Sequence, residues 1–439
     1  MLPDYITKAI PNPASNRAAW FKNTAPSYAA IFLWIVFFRE IANGTLNNAG
    51  VGLSLLALLV SALLAYLLFY KAPAMLGMQT GYPLYVIGSS TFGTKGGYLM
   101  PGLLMGALQA GWVSVNIYIS TTFILSAFGS NAGPGTLPFA IIAIIWGFGL
   151  SYVAVKGITY VAKFSTYLGL IPLLLIIIAF FRTVGGVGNY TLPADAKPYI
   201  GFMALVQIVI GFFATAGAAG ADFGMNSRDA RDVKWGGLTG ITLTILIAGG
   251  LPILAVAGAQ GLGISQGYTF DSVIAGIGGF LATAMFFLFA LASIAPCCFS
   301  AFICGNSFAT MIPGVSRMAT SMIAAAVAVV LAITGWAGNL VNVFTIIGAS
   351  FGPICGAILA DYLLSGRKWA GPREGINWAG YISWALGFIV GILPFLPLSP
   401  ETKPYIQPAA VYSFIVGFVV YMVLAKAGLE PKTVSIEKA

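Results

Sequence analysis

The stretch Ile208 to Asp232, IVIGFFATAGAAGADFGMNSRDARD, decides how the whole chain is read. It opens as an apolar helix of the kind that crosses a bilayer, then changes character. Gly211, Gly217 and Gly220 interrupt the run beside the polar Thr215, and Asp222 follows directly. Each glycine costs a helix interior about 1 kcal/mol relative to alanine. Three of them in one span leave backbone amides and carbonyls without firm partners. In a bilayer such backbone survives only where it is buried in protein or lines a wet cavity. The competing reading is close packing, because small residues let helices approach one another.

A second stretch, Tyr28 to Gly44, YAAIFLWIVFFREIANG, behaves the same way. It starts as an apolar helix and then places Arg39 and Glu40 in succession, with Ala42, Asn43 and Gly44 beyond. Both stretches join an apolar half-helix to a double Phe, a polar position and a run of small residues. Interrupted helices at corresponding places in two halves of a chain are the sequence sign of a transporter's binding site.

The rest of the chain is what such a site needs around it. Its 439 residues are 59% hydrophobic and 8% charged, with a mean hydropathy of +0.92. No soluble domain has this composition. At about 20 apolar residues per span, twelve spans are expected, near 26–46, 51–72, 98–126, 136–157, 162–183, 199–222, 235–258, 277–305, 317–334, 338–363, 377–397 and 408–427. The net charge of +9 does not point to nucleic acid, because the basic residues are scattered between the spans. With the N-terminus inside, seventeen of them fall in inner segments, three (Arg182, Lys197, Lys403) in outer loops and Arg39 in a span. That bias places both termini in the cytoplasm of a cell-membrane protein. Residues 1–25 and 428–439 read as cytoplasmic tails, the last of them mobile, and residues 73–97 as a short amphipathic element on the inner surface. Cys297, Cys298, Cys304 and Cys355 all fall in apolar spans, so buried free thiols are expected, with neither disulfides nor a metal site. The chain has no histidine. No cofactor motif is present, and a monomer is expected.

Within the spans, Gln109, Trp112 and Asn116 are spaced three and four apart and share one helix face. Two amides around an indole suit a flat, polar, aromatic ligand, stacked on the ring and bonded along its edge. Interhelical hydrogen bonds are the alternative for the amides. Ser293, Pro296 and Ser300 interrupt the eighth span, where a kink for packing competes with an ion site. Arg39 and Glu40 are costly inside a bilayer and must face a cavity or a partner. Glu40 is the one carboxylate clearly within a span, which makes it the proton carrier if there is one. A structural ion pair to a neighbouring helix is the other reading.

These residues carry a resemblance. Thr91-Phe92-Gly93-Thr94-Lys95-Gly96, Gln109-Ala110-Gly111-Trp112, Ala221-Asp222-Phe223, Ala360-Asp361-Tyr362-Leu363 and Asn43-Gly44-Thr45-Leu46 together resemble the nucleobase–cation symporter family, in particular its cytosine-permease branch. The resemblance implies an all-α membrane protein whose core is two inverted five-helix repeats, 26–183 and 199–363, with broken first and sixth helices. Helices in 377–427 follow the core. It implies a heterocycle held between Trp112 and Phe213, with Gln109 bonding its edge and Thr215 near it. Asn116 falls where a hydantoin-transporting relative has a ligand-contacting glutamine. In sodium-coupled members the eighth span supplies paired hydroxyls and an Asn; here Ala295 and Pro296 stand at the hydroxyls and Ala292 at the Asn. Phe32 and Val36, beside the ion in the first span, offer carbonyls only. Carbonyls alone under-coordinate sodium.

The expectation is a secondary importer of a nucleobase or related heterocycle, coupled to protons rather than sodium, with Glu40 as carrier and Arg39 as a fixed charge. The alternative is a sodium-coupled carrier of a hydantoin, allantoin or vitamin precursor. A membrane-embedded enzyme or a channel ranks far lower. The spans hold no nucleophile–base set, and there is no P-loop for a transport ATPase.

Overall fold

A bilayer leaves backbone amides no partner except one another, so an apolar chain of this length must become helical. The computed structural model describes residues 2–399 and 402–436, and among them it is helical with no strand. Two isolated bridges, Ala18 with Ser227 and Arg373 with Thr433, tie the chain ends to the helix connections. Among the described residues, ten helices are long and apolar enough to cross a membrane, from Leu46–Thr80 to Ala409–Lys426. Two of the twelve expected spans are not of this kind. The first is split into Thr24–Phe32 and Ile35–Phe38, and the ninth, Arg317–Ile333, has 17 residues.

The breaks fall partly where the composition puts them. In the first span Trp34 is extended (φ −70°, ψ 130°) between its two helices. In the sixth, Pro198–Ala218 ends at Ala219 and Gly220–Gly224 follows. Gly211 and Gly217 do not break that helix. A Cβ on Gly211 would come within 2.6 Å of the Phe344 carbonyl oxygen, and one on Gly217 within 2.6 Å of Phe69 Cβ. These glycines are there for close packing, and the break comes after them. The eighth span has its own interruption at Ser293, between Gly279–Ala292 and Ile294–Met311.

The 73–97 segment differs from the expected surface element. The helix Lys71–Thr80 prolongs the second span, and Leu84–Phe92 is a separate helix buried at every residue from Val86 onward. Partners for its backbone make that burial possible. Trp369 Nε1 donates to the Ile87 carbonyl at 3.0 Å, and Asn377 Nδ2 donates to the Thr91 carbonyl at 2.9 Å.

Around this helix sits a buried charge network. Arg373 is 4% exposed. Its guanidinium meets Asp361 at 2.9 Å and Glu430 at 3.0 Å, and Tyr421 Oη donates to Glu430 at 2.7 Å. Asp361 also accepts from Ser90 Oγ and Thr91 Oγ1. Glu430 belongs to the C-terminal segment, which is not free: Glu374 N donates to the Lys432 carbonyl and Val434 N to the Pro372 carbonyl. Residues 437–439 of the expected tail lie outside the described residues. The N-terminal segment is pinned to the same end. Arg17 Nη1 donates to the Met78 carbonyl at 2.7 Å and Trp20 N to Asp232 at 3.2 Å, and Ile436 packs on the cluster of Tyr5, Ile6 and Met311.

Candidate binding cavity

A cavity of about 780 Å³ opens where the broken first span passes the third, sixth and eighth. Trp34, Gln109, Trp112, Phe212 and Thr215 form its deep end, and Ala292, Ser293, Ala295, Pro296 and Ser300 line the eighth-span wall. From there it runs along Ser27 and Pro172 to Lys22, toward the end of the bundle that carries both chain termini. The other end is shut by rings packed edge-on and tilted against one another. Phe37 lies 5.0 Å from both Phe32 and Phe212, and Phe38 lies 5.1 Å from Phe270.

The third span supplies the cavity's polar edge. Its helix, Leu104–Ala127, places Gln109 and Trp112 on one face, three residues apart. Gln109 is 8% exposed, and among the described residues its amide nitrogen meets only the Met105 sulfur, at 3.7 Å. A thioether is a weak acceptor, so this amide remains available to a stronger partner. The Trp112 indole N–H donates to Thr215 Oγ1 at 3.2 Å. That bond fixes the ring's plane and leaves the hydroxyl proton of Thr215 to point elsewhere. The Trp112 ring touches Phe212 at 5.2 Å and 74°, Trp34 at 5.6 Å and Phe344 at 5.9 Å.

Two of the expected ligand contacts lie away from the cavity. Phe213 is fully buried, with its ring 5.5 Å from Phe32 and 5.8 Å from Tyr28; its neighbour Phe212 is the ring on the cavity wall. Successive helical residues point about 100° apart, so only one member of the Phe-Phe pair can face Trp112. Asn116 is also fully buried and is engaged at both ends. Its Nδ2 donates to the Ser293 carbonyl at 2.9 Å, and its Oδ1 accepts from Trp146 Nε1 and Ser120 Oγ. Ser293 is where the eighth span breaks, so Asn116 bonds backbone at the interruption. Asn116→Ala is expected to destabilise the protein by about 1–3 kcal/mol, the cost of an unpaired buried group. Thermal melting of purified protein would check this, and the order of ligand preference should be unchanged.

The expected ion residues divide into three groups. Ala292 and Ala295 line the cavity with methyl groups, whereas Phe32 and Val36 are fully buried and do not line it. Arg39 and Glu40 lie farther off, in the turn after the helix Ile35–Phe38 has ended. The span count put them within the first span because hydropathy resumes at Ile41 and Ala42. Arg39 pairs with Glu40 at 2.7 Å and with Asp271 at 3.0 Å, and Asn43 Nδ2 donates to the other Glu40 oxygen. Asp271 lies in the short helix Phe270–Ile277, whose Phe270 N–H donates to the Arg39 carbonyl. Through Arg39 the pairing joins the first span to the seventh–eighth connection.

The sequence reading missed Trp34 and Phe212 as cavity residues. Trp34 could have been singled out as the one indole in the first span, immediately before the half-helix Ile35–Phe38.

A family model described as a permease for cytosine and purines, uracil, thiamine and allantoin matches residues 11–417. No curated protein matches the chain. Among solved structures, the chain is similar to Mhp1, described as a nucleobase-cation-symport-1 family transporter, in a closed conformation with bromovinylhydantoin bound. The identity is 16% and the TM-score 0.71, over 96% of this chain and 95% of that one. The inward-facing conformation of Mhp1 is 15% identical with a TM-score of 0.72, over 98% and 96%. A Na+-coupled sialic acid symporter in a substrate-bound outward-open state is 12% identical with a TM-score of 0.60, over 98% and 93%. At these identities the likeness is one of fold.

Proposed function

The chain belongs to the family of permeases for cytosine and purines, uracil, thiamine and allantoin, and from that premise we propose that it imports a nucleobase or a closely related flat heterocycle by alternating access. The observation that carries this reading is the deep end of the cavity: an immobilised indole, Trp112, beside an amide, Gln109, that among the described residues meets only a sulfur. Rings bind flat heterocycles by their faces and amides bind them by their edges. The cavity's volume falls in the range of small-molecule sites, roughly 300–1,000 Å³. The ring across from Trp112 is Phe212, and Thr215 offers its hydroxyl beside them. Phe213 and Asn116 support these residues from behind.

The basic residues concentrate at the end where the termini lie, so that end is cytoplasmic in a cell membrane. The cavity opens there, which makes this the inward-facing state. Outward opening requires the Arg39–Asp271 pair and the Phe37–Phe212 contact to part, as the repeats 26–183 and 199–363 rock about the cavity. We assign the driving force to a proton gradient rather than a sodium gradient. A hard cation needs a cage of oxygens, and Ala292, Ala295 and Pro296 contribute no side-chain oxygen. The Ser293 hydroxyl donates to the Phe289 carbonyl at 3.0 Å. Glu40, with both oxygens engaged, belongs to the closed end in this reading, so Glu40→Gln should retain proton-driven uptake.

The test is uptake of radiolabelled cytosine, uracil, adenine and allantoin into proteoliposomes with the two gradients imposed separately. Saturable uptake that follows the proton gradient and ignores sodium is expected. The competing reading is a hydantoin- or allantoin-class ligand carried with sodium. It is favoured by the likeness to a structure holding bromovinylhydantoin, and sodium-dependent uptake would establish it.

A further inference from the structure

The two indoles at the deep end of the cavity differ in one respect. Trp112 has a partner for its N–H in Thr215. Trp34 has none: its Nε1 is buried, and the residue as a whole is 7% exposed. Buried donors are paired in native proteins with few exceptions, and an orphan costs about 1–3 kcal/mol. Eight buried side-chain polar atoms lack a partner among the described residues, and Trp34 Nε1 is the one that belongs to the cavity wall. The orphaned hydroxyls of Ser54, Thr121, Ser151 and Ser227 can rotate, whereas an indole N–H is fixed in its ring.

Trp34 is also placed where it can move. It is the extended residue between the helices Thr24–Phe32 and Ile35–Phe38. No hydrogen bond holds its ring among the described residues, and its ring neighbours are Trp112 at 5.6 Å and Phe212 at 6.5 Å. Such contacts are individually weak and non-directional. A flat ligand entering against Trp112 displaces the edge of this cluster.

We propose that Trp34 is a specificity-determining residue whose indole N–H, without a partner among the described residues, donates to a hydrogen-bond acceptor on the bound heterocycle. The acceptor is an unprotonated ring nitrogen or an exocyclic carbonyl, on a different edge from the one that Gln109 meets. The site then selects heterocycles carrying an acceptor there and rejects isosteres with C–H in its place, since these leave the donor orphaned. This rests on the proposed heterocycle transport.

The test compares wild type with Trp34→Phe, which keeps an aromatic ring and removes the donor together with part of the indole's packing surface. Two quantities are read on each purified protein: the melting temperature without ligand, and the affinity for cytosine, uracil, adenine and their deaza analogues. The melting temperature verifies that Trp34→Phe is folded: lost packing lowers it, and removal of an unpaired buried donor offsets part of that loss. Affinity for the bases should fall about tenfold, the size of one lost hydrogen bond. The deaza analogue lacking the decisive acceptor should bind both proteins equally. If wild type binds these bases and Trp34→Phe binds them equally well, this inference is overturned while the transport reading stands. If wild type binds no heterocycle, both fall together.

Discussion

Replacing Arg373 with alanine is expected to destabilise the protein by about 3–5 kcal/mol, the usual cost of stranding a buried charge. Its guanidinium serves Asp361 and Glu430 together, and those two residues are far apart in the chain. Both Arg373 and Asp361 are nearly sealed, with side chains 5% and 4% exposed. Without the arginine, Asp361 keeps only its hydroxyl donors, Ser90, Thr91 and Ser365, and no cation. Arg373 also holds backbone in place, since its own N–H donates to the Ser89 carbonyl and its carbonyl accepts from Thr94 N. A large drop in melting temperature and early loss of the monodisperse peak on size-exclusion chromatography should follow. Arg373→Lys should recover little, because an ammonium cannot span both carboxylates with a planar fork. A melting temperature within a degree or two of wild type would show that the network contributes nothing net. The double variant Asp361→Asn with Arg373→Met should be less damaging than Arg373→Ala, since it removes charge from both sides of the closest pair.

Trp112→Ala is expected to weaken binding of the transported heterocycle by roughly tenfold to a hundredfold, equivalent to about 1–3 kcal/mol for a lost stacking platform. Trp112→Phe should sit between the two, since it keeps a ring but releases Thr215 from the indole. Equilibrium binding of radiolabelled base in detergent separates this effect from any change in transport rate. The deficit should appear with every accepted base, because each has a face to stack. Gln109→Ala should instead discriminate among bases by the groups on their edges. Unchanged affinity in Trp112→Ala would remove the deep end of the cavity from consideration as the binding site.

The first-span interruption was legible only in part: Arg39 and Glu40 mark where the second half-helix ends, because charges cannot continue a buried apolar run, whereas the break itself falls earlier, at Trp34, among apolar residues. Gln109 and Trp112 were legible for a related reason, since three-residue spacing sets a shared face before any neighbour is known. The membrane character itself follows from summed hydropathy, which does not depend on packing. What these signals lacked was rotation about the helix axis. Phe212 and Phe213 are alike to any local measure, and only contact with Tyr28 and Phe32 on one side and Trp112 on the other separates them. Asn116 shares a stripe with Trp112, yet one turn farther on it meets the broken backbone at Ser293.

Partners distant in the chain were equally out of reach. Arg39 finds Asp271 across 232 positions, and Asp361 finds Ser90 across 271. The glycines of the sixth span show the division most plainly. Composition alone allows either a broken helix or a close contact at Gly211, because a missing side chain permits both. The Phe344 carbonyl at 2.6 Å from a would-be Cβ decides for contact. Hydropathy and spacing determine that a segment enters the membrane and which of its residues share a face. Which face meets a ligand, a backbone carbonyl or another ring is fixed by steric fit between helices, and that exists only once the bundle has assembled.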